Sequence, residues 1–137
     1  MAGVGDVNGD GLDDFMIGNQ YVVFGSTGSL TGLTATDLTN GSGKGFSINA
    51  TGTYNAAGFG DFNGDGLSDL IVTTGGGAYV VYGKTGSANV SLSSVNAGSG
   101  GFVINGITTG TGATTFGLSG GGDINGDGLT DILLTTY

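Results

Sequence analysis

The sequence predicts an all-β fold assembled from repeated blades, each of four antiparallel strands, and three observations carry that prediction. The first is a repeated string. GDVNGDGLDD begins at Gly5, GDFNGDGLSD at Gly60 and GDINGDGLTD at Gly122, so that Asp6, Asp61 and Asp123 stand 55 and 62 residues apart. The second is a fixed order of further matched blocks downstream of that string. YVVFG at Tyr21 is matched by YVVYG at Tyr79, STGS at Ser26 by KTGS at Lys84, and GFSIN at Gly45 by GFVIN at Gly101. Four matched blocks in one order make a true internal repeat. The third is composition. Short runs of Val, Ile, Thr, Phe and Tyr recur between Gly-rich turns, and no window carries helical periodicity.

Each element then has its reason. Directly after each Asp loop, Phe15-Met16-Ile17, Leu70-Ile71-Val72 and Ile132-Leu133-Leu134 are apolar runs suited to strands buried on both faces. Tyr21 to Phe24 and Tyr79 to Tyr82 form the next strand, and Phe46 to Ile48 and Phe102 to Ile104 the one beyond. Thr53 to Ala57 and Thr115 to Ser119 precede their loops and supply the remaining strand. Four strands in 55 to 62 residues is the size of one propeller blade, whereas β-helix repeats are much shorter. The chain divides into residues 1–60 (a partial blade plus the first strand of the next), 61–122 and 123–137 (the start of a third unit). Two and a fraction blades do not close a ring of roughly four to eight. An incomplete propeller, or part of an assembly, is therefore expected, with neighbouring blades or copies of the chain as partners.

Composition excludes whole classes of function. The 137 residues include 33 Gly and no Pro, Cys, Trp or His, and the formal net charge is -9. Lys44 and Lys84 are the two basic residues, and they read as solvated. Without Cys there is no disulfide or thiolate site, and without His the commonest general base is missing. So strong an acidic excess argues against nucleic acid as a partner. No run of about 18 apolar residues could span a membrane. Met1-Ala2-Gly3 opens neither a basic n-region nor an apolar h-region.

The Asp loops carry the chemistry. Positions 1, 3, 5 and 9 are Asp6, Asn8, Asp10 and Asp14 in the first loop, Asp61, Asn63, Asp65 and Asp69 in the second, and Asp123, Asn125, Asp127 and Asp131 in the third. Gly11, Gly66 and Gly128 at position 6 permit a positive-φ turn, which would direct inward the carbonyls of Leu12, Leu67 and Leu129 at position 7. Three carboxylates, one amide oxygen and one carbonyl per loop form an all-oxygen donor set suited to Ca2+, about three ions per chain, and less to Mg2+. An EF-hand would need Glu at position 12 and flanking helices, but Ile17, Val72 and Leu134 stand there and strands follow. Nine of the eleven Asp occupy the ligand positions of these loops, and three ions would bring the net charge from -9 to -3. Asn-Gly and Asp-Gly also make plain turns, but three loops that keep all five positions favour the metal.

Together, Asp-x-Asn-Gly-Asp-Gly-Leu-x-Asp in three units and YVVFG or YVVYG in two resemble FG-GAP repeats, the blades of the integrin α-subunit N-terminal propeller and of many bacterial surface proteins. The Phe-Gly element is Phe116-Gly117 and, more loosely, Phe59-Gly60. The Gly-Ala-Pro element is replaced by Gly18-Asn19-Gln20 and Gly75-Gly76-Gly77. The resemblance implies Ca2+ between the first and second strands of a blade, and an extracellular or cell-surface setting, often in adhesion. The leading expectation is a calcium-stiffened structural module that is adhesive or filament-forming, with a surface protein or glycan as candidate ligand. One alternative is a carbohydrate-binding propeller using Tyr21, Tyr54, Tyr79, Tyr82 or Tyr137. Another is a non-catalytic piece of a larger extracellular enzyme. Beyond the ligand positions only Asp13 and Asp37 remain, Asp13 at a position that reads as solvent-facing, so no catalysis is expected from this chain. Asn40-Gly41-Ser42, Asn49-Ala50-Thr51 and Asn89-Val90-Ser91 match the N-glycosylation pattern.

Overall fold

The structure is a computed structural model, and it describes residues 1–49, 53–75, 77–106, 116–120 and 122–136. Gly76, Thr115, Tyr137, the Tyr54 side chain and the Asn49-Ala50-Thr51 sequon beyond its asparagine lie outside the described part.

The first sheet runs β1 (Ala2–Gly5), β2 (Asp14–Ile17), β3 (Tyr21–Val23) and β4 (Gly45–Asn49), each antiparallel to the last. The second repeats the order with β5 (Thr53–Gly60), β6 (Asp69–Thr74), β7 (Gly77–Val81) and, after a short β8 described below, β9 (Gly101–Ile104). The third consists of β10 (Phe116–Gly120) against β11 (Ile132–Thr136). These are the expected blades, and register repeats with them: Met16 faces Val22 as Ile71 faces Val80. Both β1 and β5 slip register just before the Asp loop, at Gly3/Gly5 and Gly58/Gly60, which turns the chain out of the sheet.

Two details go beyond the sequence pattern. The link between the third and fourth strands holds a 3-10 helix, Ala35–Leu38, in the first blade and α1, Leu92–Asn96, in the second. Leu92 and Val95 point inward from one turn, too short a stretch to register as periodicity. Just before α1, the two residues of β8 (Val90–Ser91) add in parallel to β4 and seal the outer edge of the first blade. Asn89 secures this addition. Its Oδ1 accepts from Ser47 N–H at 3.0 Å, and its Nδ2 donates to the Thr39 carbonyl at 2.8 Å.

The blades pack face against face. Leu70 and Val72 of β6 join Val4, Val22, Phe46 and Ile48 in the core between the first and second blades. Ile71, on the opposite face, joins Phe59, Ala78 and Val80, with Ile132 and Leu134 of the third blade against them. The expectation of strands buried on both faces holds for β6 but not for its equivalents. Ile17 and Leu133 are 42% and 50% exposed, because only the middle blade has a described neighbour on each side. Ile71→Ala should therefore cost about 2–5 kcal/mol in a chemical unfolding titration, and Leu133→Ala at the equivalent position about 1 kcal/mol or less.

Lys44 is exposed, as the sequence suggests, whereas Lys84 is not free in water. Lys84 lays its ammonium 4.4 Å from the centre of the buried Phe46 ring, and burial pulls its pKa down. Lys44 meets Asp37 at 3.1 Å. Asp37 also accepts from the backbone N–H and the hydroxyl of Thr34, which leads into the 3-10 helix. Those two bonds, followed by Lys44, hold its pKa at about 2, below the ordinary 3.8. A depressed folded-state pKa means that this contribution is complete above about pH 4 and is lost as pH falls towards 2. Thermal unfolding of Asp37→Asn should show a deficit at about pH 5 that disappears near pH 2.

Candidate metal centre

Each Asp loop joins the first strand of a blade to the second, and the three loops share one internal geometry. Asp6 Oδ1 accepts from the N–H groups of Gly9 (2.7 Å) and Asp10 (3.1 Å), and Oδ2 from Gly11 N–H (2.8 Å). Asp61 and Asp123 repeat these bonds within their own loops. The carboxylate of Asp10, Asp65 or Asp127 caps the N–H of the following Leu12, Leu67 or Leu129 at 2.8–2.9 Å. The Asn8 amide joins Asp10 twice, accepting from its backbone N–H and donating to Oδ2, as do Asn63 and Asn125 in their loops. Gly11, Gly66 and Gly128 have φ of +86°, +87° and +89°, the left-handed turn expected at position 6.

Position 9 behaves differently. Asp14 and Asp69 are buried, at 1% and 0% exposure, in the interior rather than at the loop rim. Each clasps two distant pieces of backbone. Asp14 accepts from Val7 N–H (2.8 Å) and Gly25 N–H (2.7 Å), and Asp69 from Phe62 N–H and Gly83 N–H (both 2.8 Å). Asp131 accepts from Ile124 and Asn125 N–H of its own loop. The clasp explains the glycine that ends YVVFG and YVVYG. A Cβ on Gly83 would stand 2.6 Å from Leu67 Cβ and from the Ser68 carbonyl oxygen, and one on Gly25 would stand 2.6 Å from the Asp13 carbonyl oxygen.

Burial raises the pKa of Asp14 above the ordinary carboxylate value. The Gly25 and Val7 N–H groups oppose the rise, and the charges of Asp10 and Asp6 add to it. Asp69 is raised in the same way, by burial first, against Gly83, Phe62 and Asn63 N–H and with the charge of Asp65. The acids of one loop thus sense one another's charge. Among the described residues no three of them are gathered into a ready metal-holding group; backbone amides engage them instead. Their donor chemistry still fits a hard cation. Every candidate ligand is oxygen, and a carboxylate that accepts two or three N–H groups keeps further lone pairs. Leu12, Leu67 and Leu129 stand at the tip of each turn with their backbone N–H groups bound inside the loop.

Asp13 is exposed as expected, but its counterparts Ser68 and Thr130 are half-buried against the preceding loop. Tyr79 packs on the first core, and Tyr82 packs on the second beside Phe102. Tyr82, Lys84, Asn89, Ser91, Ser94 and Ser99 line a recess of about 320 Å³ beneath α1. With both amide atoms bonded, Asn89 serves as a latch between blades rather than as a free sequon asparagine.

Residues 53–92 match the family model of the FG-GAP repeat, a span that contains β5, the second Asp loop, β6, β7 and the start of α1. No curated protein and no solved structure matches the chain. The match agrees with the resemblance in the motifs, and it falls on the second blade, ending before its fourth strand. Asp69→Asn places an amide donor against the N–H of Gly83 or Phe62. In calcium-free buffer it should lower stability by about 1–3 kcal/mol, against little change for Asp65→Asn, as read from denaturant midpoints.

Proposed function

We propose that this chain is a calcium-binding structural module of a secreted or cell-surface protein, with one ion held by each Asp loop. The observation that carries the reading is the threefold recurrence of one loop, with the same donors at positions 1, 3, 5, 7 and 9 and the same internal hydrogen bonds. Asp6, Asn8, Asp10, Leu12 and Asp14 would hold the first ion, Asp61, Asn63, Asp65, Leu67 and Asp69 the second, and Asp123, Asn125, Asp127, Leu129 and Asp131 the third. The cation would supply charge neutralisation, since several carboxylates in one short loop repel one another when no ion is present. The protein's own part is to hold the loop rigid through its amides and to fix the angle at which the first strand of a blade enters the second.

An extracellular setting fits such a role, because millimolar calcium suits flexible loops that bind at roughly 10⁻⁴ to 10⁻³ M. Adhesion or assembly fits the exposed apolar side chains of the third unit, Ile124, Leu129 and Leu133, against which another blade or another copy could pack. A carbohydrate-binding role is the second reading, favoured by the hydroxyl-lined recess beside Tyr82. It is the weaker one, since Lys84 is drawn over Phe46 and Asn89 is spent on the latch.

Calcium added to the chelated protein should raise its thermal midpoint and saturate at three ions per chain by isothermal titration calorimetry. Each site should contribute about 2.7 kcal/mol at a hundredfold excess over its dissociation constant. Asp127→Asn should remove one equivalent. A midpoint indifferent to calcium and chelator would refute the reading.

A further inference from the structure

Successive Asp loops are bonded to one another as well as within themselves. The Asp6 carbonyl accepts from Ser68 N–H at 2.8 Å, and the Asp61 carbonyl accepts from Thr130 N–H at 3.0 Å. The acceptor in each pair belongs to the position-1 aspartate of one loop. The donor lies between the position-7 and position-9 residues of the next. Side chains repeat the pairing. Leu67 Cδ2 comes within 2.9 Å of where a Cβ on Gly9 would stand, and Leu129 Cδ2 within 3.2 Å of the same point on Gly64. A Cβ at Gly9 or Gly64 would displace the leucine side chain seated there, and the positive φ of both glycines disfavours any larger residue.

A second connection joins the two buried position-9 carboxylates. Val7 donates its N–H to Asp14, and its carbonyl accepts from Lys84 N–H at 2.9 Å. The residue next to Lys84 is Gly83, whose N–H donates to Asp69. Asp14 and Asp69 are therefore joined across the interface between blades by three hydrogen bonds, two of them to the carboxylates, and the Gly83–Lys84 peptide link.

The geometry points to loops coupled in series: calcium bound in the second loop raises the affinity of the first, and the third acts likewise on the second. The inference rests on the calcium reading above. An ion that orders the second loop fixes Ser68 and Asp69, which hold Asp6 and, through Gly83 and Lys84, Val7. Part of the ordering that the first loop requires is then already in place when its own ion arrives. Charge works against this, because each bound ion lowers the negative potential that attracts the next. Direct bonds between ligand-bearing residues act at contact range, while solvent and salt screen the exposed charges, so positive coupling is the expected sign.

The test is a calcium titration of the whole chain followed residue by residue through its amide NMR signals, for the unchanged protein, Asp65→Asn and Leu67→Ala. Asp65→Asn removes a second-loop ligand, and Leu67→Ala keeps every ligand and removes the seat on Gly9. In both variants the first-loop signals of Gly9 and Gly11 should need about tenfold more calcium for half-saturation, within the usual range for coupled sites. The β1–β4 signals in calcium-free buffer establish that each variant is folded. First-loop signals that titrate at the unchanged concentration in both folded variants would overturn the coupling while leaving the calcium reading intact. If no loop of the unchanged protein titrates up to millimolar calcium, the calcium reading fails, and the coupling with it.

Discussion

The bond on which the fold most depends is the one between a buried carboxylate and the chain around it. Asp69 is wholly enclosed, and its two oxygens tie the entrance of its own loop, at Phe62, to the turn after the third strand, at Gly83. An ionised group in that position is tolerable only when charge-assisted bonds satisfy it. The clasp thereby sets how closely loop and turn approach, and that approach leaves no room for a side chain at Gly83. Asp14 and Gly25 repeat the arrangement one blade earlier. The glycine that ends each YVV run and the seat of the loop both follow from this contact.

The same acids set up the demand that the proposed function meets. Burial pushes Asp14 and Asp69 towards the protonated form, and loop neighbours of like charge push in the same direction. Backbone amides answer part of that demand by donating to each of the three acids in a loop. A divalent cation would answer the remainder, and it would do so in three equivalent places along a chain of net charge -9. Mechanical stiffening would follow from such an ion, since the loops lie where adjacent blades touch.

Much of this is legible in the sequence because the repeat carries its own alignment. The strands after each Asp loop, the YVVFG and YVVYG strands and the positive-φ turn at Gly11, Gly66 and Gly128 stand where pattern and spacing put them. The clasp is not legible, because Asp14 reads as one more loop acid until Gly25, eleven residues on, is brought to it. The parallel addition of Val90 and Ser91 to β4 is equally hidden, because two residues carry no periodicity. Lys84 reads as solvated because nothing local reveals the Phe46 ring that it covers from another blade. Each of these is a contact between segments distant in sequence, which local patterning does not encode.

Native mass spectrometry in calcium acetate, repeated after chelation, tests the central claim most directly, since it counts ions and chains together. The account predicts three calcium ions per chain that are lost on chelation. A chain that carries no calcium before chelation would contradict it and reduce the Asp loops to hydrogen-bonded turns.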